Sequence, residues 1–459
     1  MYDRATRPGR MPSLAAARAI ALGLRRDGHE AYLAGGCVRD LLLGREPADY
    51  DIATSATPEQ IQALFPKTIP VGAAFGVVRV AAEDGEYEVA TFRTEGPYLD
   101  GRHPSSVRYA TAQEDVLRRD FTINGLLYDP ETAAILDWVG GRADLEAKII
   151  RTIGDPAARF QEDHLRMLRA VRQAAELGFT IAEDTASALR RLAPGLARVS
   201  PERIRDELVR IVTGPDPARG LQLLRATGLL EIVLPEVARE IGVTQPEAFH
   251  PEGDVFEHTR RGLGALRRPS VTLAMAMLLH DTGKPETFVR AQDRIRFDRH
   301  DEVGAEIARR VMERLRFSRR DTDRVVSLVR RHMIFKDVPQ MREARRRRLF
   351  ADETFPELLQ LHQADCLASH GDLSTYEWIR RRLAELAEEP QVPPRLITGE
   401  DVLALGLPPG PRIGAILQAV EDARLEGEVR TRDEALALAR RLALTATPPE
   451  TAGGQPAGR

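Results

Sequence analysis

The sequence predicts an α+β fold in which a mixed α/β head is followed by an almost entirely helical remainder. Up to about residue 140, short apolar runs alternate with turns, which is typical of strands and helices in one domain. From about residue 142 onward, apolar residues recur with helical spacing and proline-containing joints separate the segments. A chain of 459 residues is too long for one ordinary core, so about two to four domains are expected.

Composition excludes several classes of protein. Charged residues make up 29% and hydrophobic residues 43%, and the net charge is −3, so a globally basic nucleic-acid binder is excluded. No apolar run reaches the ~20 residues of a membrane span, and the first residues lack the apolar stretch of a secretory signal. Cys37 and Cys366 are the two cysteines, which argues for a reducing compartment. We therefore expect a cytoplasmic protein without membrane contact.

Local patterns predict the individual elements in order. Residues 13–27 form an amphipathic pattern with Ser13 as a plausible N-cap. Four short runs of β-branched and aromatic residues predict strands, namely "AYLAG", "YDIAT", "GVVRVAA" and "YEVATFR". Helical spacing then predicts helices over 162–177, 184–192, 201–213, 217–226, 303–315, 321–332, 354–368, 374–388, 399–405 and 431–443.

Glycines and carboxylates cluster between residues 32 and 54. If "YDIAT" is a strand, Asp49 and Asp51 present two carboxylates on one face. Two such groups repel each other unless a cation lies between them, and an oxygen-only pair suits Mg²⁺. Gly35 and Gly36 lack a Cβ and allow phosphates to approach the backbone, and Arg39 could hold that turn. The pattern favours a site where Mg²⁺ bridges nucleotide phosphates and an attacking hydroxyl.

An isolated D-x-D is more often a solvated strand face, so the order of Gly-Gly, Arg-Asp and D-x-D is what favours the metal. The stretch "GGCVRDLLLG…ADYDIAT" resembles the class II tRNA nucleotidyltransferase and bacterial poly(A) polymerase family. That resemblance implies a polymerase-beta-like nucleotidyltransferase head, followed by a helical neck, a body that contains an HD domain, and a tail.

Further motifs of this family can be placed along the head. The resemblance puts a third acidic ligand at Glu88, although Glu86 is a same-face neighbour. The stretch 94–106 resembles the flexible loop that members use when they switch to the final A. Without the resemblance, "RRDFTIN" would be a salt-bridged helix start. With it, this motif implies ribose contacts from Arg118, Arg119, Asp120 and Asn124.

The segment "GDPAARFQEDHLRMLRAVR" resembles the part of the family that selects the base. Glu162, Asp163 and Arg166 match its E-D-x-x-R pattern, and helical spacing would place Asp163 and Arg166 side by side. In this family such a pair acts as a protein template for CTP or ATP. The alternative is an ordinary ion pair worth ~0.5 kcal/mol. Arg203 and Glu207 are expected to form an i,i+4 pair that braces the neck.

Histidines and aspartates downstream resemble the ligands of HD-domain metal phosphohydrolases. Some tRNA nucleotidyltransferases use this domain on 2′,3′-cyclic phosphates, whereas in others it is only a scaffold. Imidazole and carboxylate ligands suit Mn, Ni, Fe or Co. The resemblance implies ligands at His258, His280, Asp281 and Asp365, with His300 and His332 where two-metal members carry extra ligands.

An arginine run, "MREARRRRLF", is the candidate RNA contact. Most such runs are solvated helix faces, but phosphate contacts require local positive charge in a nearly neutral chain. Aromatic residues are only 5%, which favours recognition of a structured RNA over base stacking. The segment "LITGEDVLALGLPPGPRIGAILQAV" resembles the family's RNA-binding tail. The predicted RNA-binding residues are Arg345, Arg346, Arg347 and Arg348.

The resulting expectation is a Mg²⁺-dependent enzyme that adds C, C and A to the 3′ end of tRNA from CTP and ATP. It would grip the acceptor arm and need no obligate protein partner. An A-adding or CC-adding partial enzyme, a poly(A) polymerase, and an HD-type phosphohydrolase remain alternatives. The expected domains are a disordered 1–12, a head at 13–150, a neck at 151–245, an HD domain at 246–375, a tail at 376–445 and a disordered 446–459.

Overall fold

The structure is a computed structural model in which the chain divides into two compact units at Val329. The predicted HD domain at 246–375 spans that division. The predicted disordered termini, apart from Pro12, and residues 97–106 of the predicted flexible loop lie outside the described residues. The structure describes residues 12–72, 76–96, 107–247, 250–290, 295–388 and 396–445.

A seven-stranded sheet forms the head. Its strands are β1 (Ala31–Ala34), β2 (Asp51–Thr54), β3 (Thr68–Gly72), β4 (Val77–Ala81), β5 (Glu86–Thr91), β8 (Leu126–Tyr128) and β9 (Ile135–Asp137). A separate pair is formed by β6 (Arg93–Glu95) and β7 (Val107–Tyr109). The strand order is β3-β4-β5-β2-β1-β8-β9, and β2 runs parallel to β5 while the other neighbours are antiparallel. The two central strands β2 and β5 therefore end at the same edge of the sheet.

Five helices accompany this sheet. They are α1 (Leu14–Arg26), α2 (Gly36–Leu42), α3 (Pro58–Leu64), α4 (Ala112–Leu117) and α5 (Gly141–Ala147). The predicted cap of α1 is confirmed, because the Ser13 hydroxyl accepts a hydrogen bond from the Ala16 amide. Leu24 of α1 is fully buried with Leu33, Ile52 and Val89 of the sheet. This apolar layer packs against β2 and β5, the strands that carry Asp51 and Glu88.

A helical neck follows the head in the same unit. Its helices are α6 (Pro156–Glu162), α7 (Arg166–Leu177), α8 (Glu183–Leu192), α9 (Pro201–Thr213), α10 (Pro217–Ala226), α11 (Leu230–Val233) and α12 (Pro235–Ala238), and β10 (Ile149–Ile150) pairs with β11 (Thr180–Ile181). The predicted continuous helix over 162–177 is wrong. Asp163 is extended, with φ −146° and ψ 105°, and its carboxylate accepts from the Leu165 amide. This local hydrogen bond competes with the helix and lets a new one start at Arg166.

The rest of the first unit is helical around one apolar helix. Its elements are α13 (Val255–Ala265), α14 (Val271–Leu279), α15 (Lys284–Thr287), a hairpin of β12 (Phe288–Arg290) and β13 (Ile295–Phe297), α16 (His300–Arg314) and α17 (Arg319–Arg331), which runs into the second unit. Helix α14, "VTLAMAMLL", is apolar on all sides and buried from Thr272 to Leu279. It delivers His280 and Asp281 at its C-terminal end, inside the protein.

The second unit is helical throughout its described part. After a 3-10 stretch (His332–Gln340), its helices are α18 (Glu343–Phe350), α19 (Phe355–Ala368), α20 (Ser374–Glu388), α21 (Gly399–Leu403), α22 (Pro411–Leu425) and α23 (Arg432–Thr445). The last three pack around Val402, Ile416 and Val420. No helix within the described ranges is both long enough and apolar enough to cross a membrane.

Candidate active site and candidate metal centre

The turn between β1 and α2 requires a glycine. Gly35 has φ +75°, a conformation that side chains other than glycine rarely adopt. A Cβ at this position would lie 3.1 Å from a guanidinium nitrogen of Arg119 and 3.9 Å from a carboxylate oxygen of Asp51. Gly36 then begins α2. The turn therefore brings bare backbone next to one arginine and one carboxylate, as the sequence predicted for a phosphate-binding turn.

Three carboxylates meet at the start of β2. Asp51 is the first residue of β2 and pairs in register with Glu88 of the parallel strand β5. Asp49, predicted to lie in the same strand, instead precedes it and is exposed. Glu86 lies on the same strand, two residues before Glu88, and is opposite Ala81 of β4. The strand register thus places Glu88, rather than Glu86, beside Asp51.

The electrostatics of this cluster reflect three carboxylates held close together. Asp51 keeps exposed surface, but the protein atoms packed around its carboxylate displace water and are the main reason why its pKa rises to about 7. The charges of Asp49 and Glu88 raise that pKa further, whereas Arg119 lowers it. Glu88 shares Arg79 with Glu86, at 3.4 Å each. A divalent cation would relieve this repulsion, and the oxygen-only donors fit a hard cation.

A buried aspartate orients the two arginines of the "RRDFTIN" motif. Asp115, whose side chain is 3% exposed, accepts from Arg118 at 2.6 Å and from Arg119 at 3.0 Å. Burial would raise the pKa of Asp115, but the two guanidinium groups outweigh burial and lower it. Asp115 therefore remains charged and fixes the arginine that faces Gly35.

The remaining residues of the motif form a polar network with α2 and α7. Asp120 accepts from Arg169 at 2.6 Å, and although its burial opposes ionisation, this arginine lowers the pKa of Asp120 to about 2. The Asn124 amide nitrogen donates to Asp120 at 3.0 Å and its oxygen accepts from Arg39 at 3.0 Å. Arg39 also donates to Asp40, at 2.9 Å. The structure thus brings Arg39, Asp120 and Asn124 together, as their predicted shared role requires.

The base-selecting residues are arranged differently from the predicted pair. Arg166 donates to Glu162 at 2.6 Å across the break between α6 and α7. Asp163 instead accepts from Arg203 of α9, at 2.7 and 3.2 Å. The expected Asp163–Arg166 and Arg203–Glu207 pairings are therefore wrong in this structure, and Glu207 accepts from Arg172 of α7 at 2.6 Å. The helix break explains both differences, because it turns Asp163 toward α9, where this carboxylate binds Arg203.

A second polar cluster lies at the buried end of α14. His258, His280 and Asp281 are each at most 1% exposed. The Nε2 atoms of the two histidines are 3.3 Å apart, and they lie 3.7 and 3.2 Å from Oδ2 of Asp281. The Nε2 atom of His300 is 3.7 Å from Oδ1 of the same aspartate. Four of the predicted HD ligands therefore converge within the first unit.

The outer nitrogen of each imidazole faces an acceptor. Nδ1 of His258 is 2.8 Å from Glu252, Nδ1 of His280 is 2.9 Å from the Met277 carbonyl, and Nδ1 of His300 is 2.8 Å from the Phe297 carbonyl. These contacts orient each ring so that its Nε2 atom faces the cluster. Imidazole nitrogens and a carboxylate that converge in this way are the donors that a transition metal needs, so these residues fit a metal.

Lys284 places a positive charge next to Asp281. Its Nζ lies 2.7 Å from Oδ2 of Asp281 and donates to Gln245 at 2.6 Å. Burial would raise the pKa of Asp281, but His280 and Lys284 outweigh it and hold that pKa well below its usual range. Nearby, Glu240 is fully buried and its pKa is raised well above the ordinary value by burial and by Asp281. The cluster therefore contains one ionised carboxylate whose charge is compensated locally.

The other predicted ligands and the arginine run belong to the second unit. His332 is buried at the start of its 3-10 stretch, and Asp365 lies in α19. Within α18, Arg346 and Arg347 are both bound by Glu343, and Arg348 is bound by Asp422 of α22. Arg345 is exposed and has no carboxylate partner among the described residues. Most of the predicted RNA-binding charge is thus used inside the unit.

Full-length similarity identifies the family. The chain is 38% identical to the A-adding tRNA nucleotidyltransferase of Deinococcus radiodurans over 435 residues, which are 90% of this chain and 95% of that enzyme. The chain belongs to the tRNA nucleotidyltransferase family. It is also 36% identical to the CC-adding tRNA nucleotidyltransferase of Thermus thermophilus over 89% of this chain and 92% of that enzyme.

Other members of the tRNA nucleotidyltransferase family match over different lengths. Identity reaches 49% with the CCA-adding enzyme of Geobacillus thermodenitrificans, but over 48% of this chain and 54% of that enzyme. A crystal structure of the Bacillus stearothermophilus CCA-adding enzyme in complex with CTP superposes with a TM-score of 0.72. It is 32% identical and covers 94% of this chain and 98% of that enzyme. Family models match the poly A polymerase head domain at 31–151, the probable RNA and SrmB-binding site of polymerase A at 178–241, and the HD domain at 255–369.

These matches confirm the predicted family, the polymerase-type head and the HD domain. The tRNA nucleotidyltransferase head and the HD domain both imply the use of divalent metal ions, and the described residues include groups with metal-ligand geometry. Several polar residues of the sites were missed in the sequence, namely Asp115, Arg169, Gln173, Gln245, Glu252 and Lys284. Asp115 and Lys284 had a local signal, since each lies three residues from its charged partner. Glu252 contacts His258 six residues away, whereas Arg169, Gln173 and Gln245 contact partners that are distant in sequence.

Proposed function

We propose that the chain adds C, C and then A to the 3′ end of tRNA, uses CTP and ATP, and releases pyrophosphate without a nucleic-acid template. The observation that carries this proposal is the placement of Asp51 and Glu88 side by side, with Asp51 next to Gly35. Acidic metal ligands next to a bare phosphate-binding turn are what nucleotidyl transfer requires. The 32% identical CCA-adding enzyme whose structure contains CTP supports the same substrate class.

The proposed metal at the head is Mg²⁺. Asp49, Asp51 and Glu88 would hold it, because they are close, acceptor-only and mutually repulsive. Bound Mg²⁺ supplies charge neutralisation for the phosphates and activation of the attacking hydroxyl. The protein's own contribution is to orient the carboxylates, since β2 and β5 fix the register of Asp51 and Glu88.

The proposed nucleotide contacts follow the elements that carry them. Gly35 and Gly36 leave space for the triphosphate, and Arg119 lies beside that space. Glu162, Asp163 and Arg166 are proposed to select the base, since Arg166 binds Glu162 across the break between α6 and α7 and Asp163 lies in that break. The further residues proposed to contact or organise the nucleotide are Arg39, Arg118, Asp120 and Asn124.

A partial, A-adding reaction is the second candidate. The 38% identity with the A-adding enzyme of Deinococcus radiodurans extends over nearly all of both chains. The higher identity with the CCA-adding enzyme of Geobacillus thermodenitrificans covers only about half of each chain. CC addition and poly(A) synthesis are weaker alternatives within the same chemistry. All four reactions use the same head, so the geometry of the carboxylates does not separate them.

Extension of three RNAs separates these reactions. One tRNA ends at the discriminator base, a second ends in CC, and the third RNA is an unstructured oligomer, each with CTP alone, ATP alone or both, with Mg²⁺. Growth by three nucleotides on the first and by one on the second, followed by a stop, is the expected result. Growth by one A on the CC end only would replace the proposal with A addition. Long A tails on all three RNAs would contradict tRNA specificity.

A second activity is proposed at the HD cluster. The inward-facing imidazoles of His258, His280 and His300 around Asp281 support a transition metal such as Mn, Ni, Fe or Co and hydrolysis of a phosphoester such as a 2′,3′-cyclic phosphate. Asp365 and His332 are proposed to complete the ligand set. Metal analysis of the purified chain, followed by assays on a 2′,3′-cyclic mononucleotide, tests this activity. A metal-free chain that stays inactive with each added metal would reduce the domain to a scaffold.

The proposed contact with the tRNA acceptor arm involves the second unit. Arg345 is proposed as an RNA contact because it is exposed and lacks a carboxylate partner among the described residues, unlike Arg346, Arg347 and Arg348. We propose that the reaction takes place in the cytoplasm, since Cys37 and Cys366 are both free thiols. Salt dependence of tRNA binding, compared between the unaltered chain and Arg345→Gln, tests the arginine.

A further inference from the structure

One polar residue is buried on the helix that carries Arg166. Among residues 166–177, all of which the structure describes, Gln173 is the polar residue that is buried, with 2% of its surface exposed. Its neighbours in the helix include the fully buried Val171 and Ala174. A polar side chain in such surroundings is costly unless it is hydrogen-bonded. The Gln173 oxygen does accept a hydrogen bond, from the Asn124 amide nitrogen at 3.1 Å.

Asn124 uses its whole donor capacity inside the protein. Its amide nitrogen has two hydrogens, and it donates to Asp120 and to Gln173. Its oxygen accepts from Arg39. Two acceptors on one side and a guanidinium on the other fix the orientation of the amide. Asn124 is therefore a junction between the head and α7, and its amide hydrogens are not free for a nucleotide.

The contacts of α7 with the head lie along one stripe. Arg166, Arg169 and Gln173 are spaced by three and four residues and share a face of the helix. They contact, in the same order, the carbonyl of Arg118, the carboxylate of Asp120 and the amide of Asn124. The strip of the head that would hold the nucleotide's sugar is thus bound turn by turn to the helix that would select its base.

We propose that Gln173 is a positioning residue that, through Asn124, sets the distance between the base-selecting end of α7 and the phosphate-binding turn of the head. The inference rests on the proposed nucleotidyl transfer. Arg169 binds through charge and keeps partial exposure, whereas the Gln173–Asn124 bond is neutral and buried, and it depends on donor–acceptor geometry. Sub-ångström placement of base and phosphate is what discrimination between nucleotides requires.

The test compares nucleotide discrimination in three variants of the full chain. Discrimination is the ratio of kcat/KM for the correct and an incorrect nucleotide, CTP against UTP or ATP against GTP, on a tRNA that the unaltered chain extends. Gln173→Leu removes the accepting oxygen and is expected to lower discrimination about 10-fold, with tRNA affinity unchanged. Gln173→Glu keeps an accepting oxygen and is expected to retain more of the nucleotide discrimination than Gln173→Leu. Glu176→Gln is the matched control, because Glu176, one turn further along α7, is partly exposed and binds Arg172 of the same helix.

A double-mutant cycle separates positioning from general destabilisation. If Asn124 and Gln173 act as one unit, Asn124→Ala combined with Gln173→Leu lowers discrimination by less than the product of the single effects. A folded Gln173→Leu chain with unchanged discrimination, or a cycle without coupling, overturns the inference. Gln173→Met, similar in length, replaces the leucine variant if that chain melts below the assay temperature. Failure of the unaltered chain to extend any RNA would instead overturn the proposed function, and this inference with it.

Discussion

The head and the HD cluster hold similar carboxylates in opposite electrostatic states. Asp51 faces Asp49 and Glu88 and has its pKa raised to about 7, whereas Asp281 faces His280 and Lys284 and has its pKa held well below the usual range. Asp281 is 1% exposed, yet its charge is compensated, while the less enclosed Asp51 is not. Burial raises the pKa of both carboxylates, so the neighbouring charges decide the direction of the net shift: Asp49 and Glu88 add to the effect of burial at Asp51, whereas His280 and Lys284 reverse it at Asp281.

The largest expected effect follows from removing the carboxylate at the centre of the head cluster. Asp51→Asn is expected to lower nucleotide incorporation by about 10³-fold or more, since metal-based stabilisation of the transition state is worth several kcal/mol. Primer extension with CTP or ATP measures this loss. Equal incorporation by the variant and the unaltered chain would contradict the placement of the metal at β2.

Asp281→Asn should produce the opposite pattern. The variant is expected to lose the bound metal and any hydrolysis of cyclic phosphates, because three imidazoles lose the carboxylate they share. Nucleotide incorporation is expected to stay unchanged. Elemental analysis and the two activity assays check this. Glu257→Gln is the control, since Glu257 lies on α13 but binds Arg260 and Arg261 instead of the cluster. A metal content that Asp281→Asn does not change would argue that the cluster is only structural.

Two glutamates on one strand sharpen the definition of the head site. Glu88→Gln is expected to reduce kcat about 10- to 100-fold and to raise the Mg²⁺ concentration needed for half-maximal rate, because one ligand is lost. Glu86→Gln is expected to have little effect, although Glu86 binds the same Arg79. Mg²⁺ titrations of both variants provide the measurement. Equal loss in the two would mean that Arg79, rather than the metal, explains the effect.

The raised pKa of Asp51 predicts a pH dependence of metal affinity. An aspartate with a pKa of about 7 is increasingly protonated below that pH, and a protonated carboxyl does not bind Mg²⁺. The apparent Kd for Mg²⁺ should therefore rise about tenfold for each pH unit below 7 and level off above it. Rates measured at several Mg²⁺ concentrations between pH 5.5 and 8.5, which spans about 1.5 units on either side, test this. A Kd that is constant over the range would contradict it.

The smallest expected effect concerns the residue that holds Asp163. Arg203→Gln removes the ion pair that keeps this carboxylate in place, and a partly exposed pair of this kind is worth about 1 kcal/mol. Discrimination between CTP and UTP should fall about five-fold. Arg205→Gln, on the same helix but bound to Asp206, is the control. If both variants discriminate as the unaltered chain does, Asp163 does not depend on α9.

Local rules predicted a large part of the fold. Ser13 caps α1 as expected, and α9 and α10 have the bounds that their proline starts and apolar spacing indicate. The break at Asp163 was not visible, since apolar spacing continues through it while a side-chain hydrogen bond ends the helix. The buried helix α14 lacks a polar face, so its periodicity carries little information.

The sequence by itself determined the family, an α/β head followed by a helical remainder, the strands β1, β2, β4 and β5, the acidic and glycine residues of the head, and the histidines around Asp281, because these depend on residue type and short spacing. Tertiary structure decided which groups meet. Strand register places Glu88, and not Glu86, opposite Asp51. Arg203 binds Asp163, 40 residues away, and Gln173 binds Asn124, 49 residues away. Such contacts depend on how distant elements pack, and no local pattern encodes that distance.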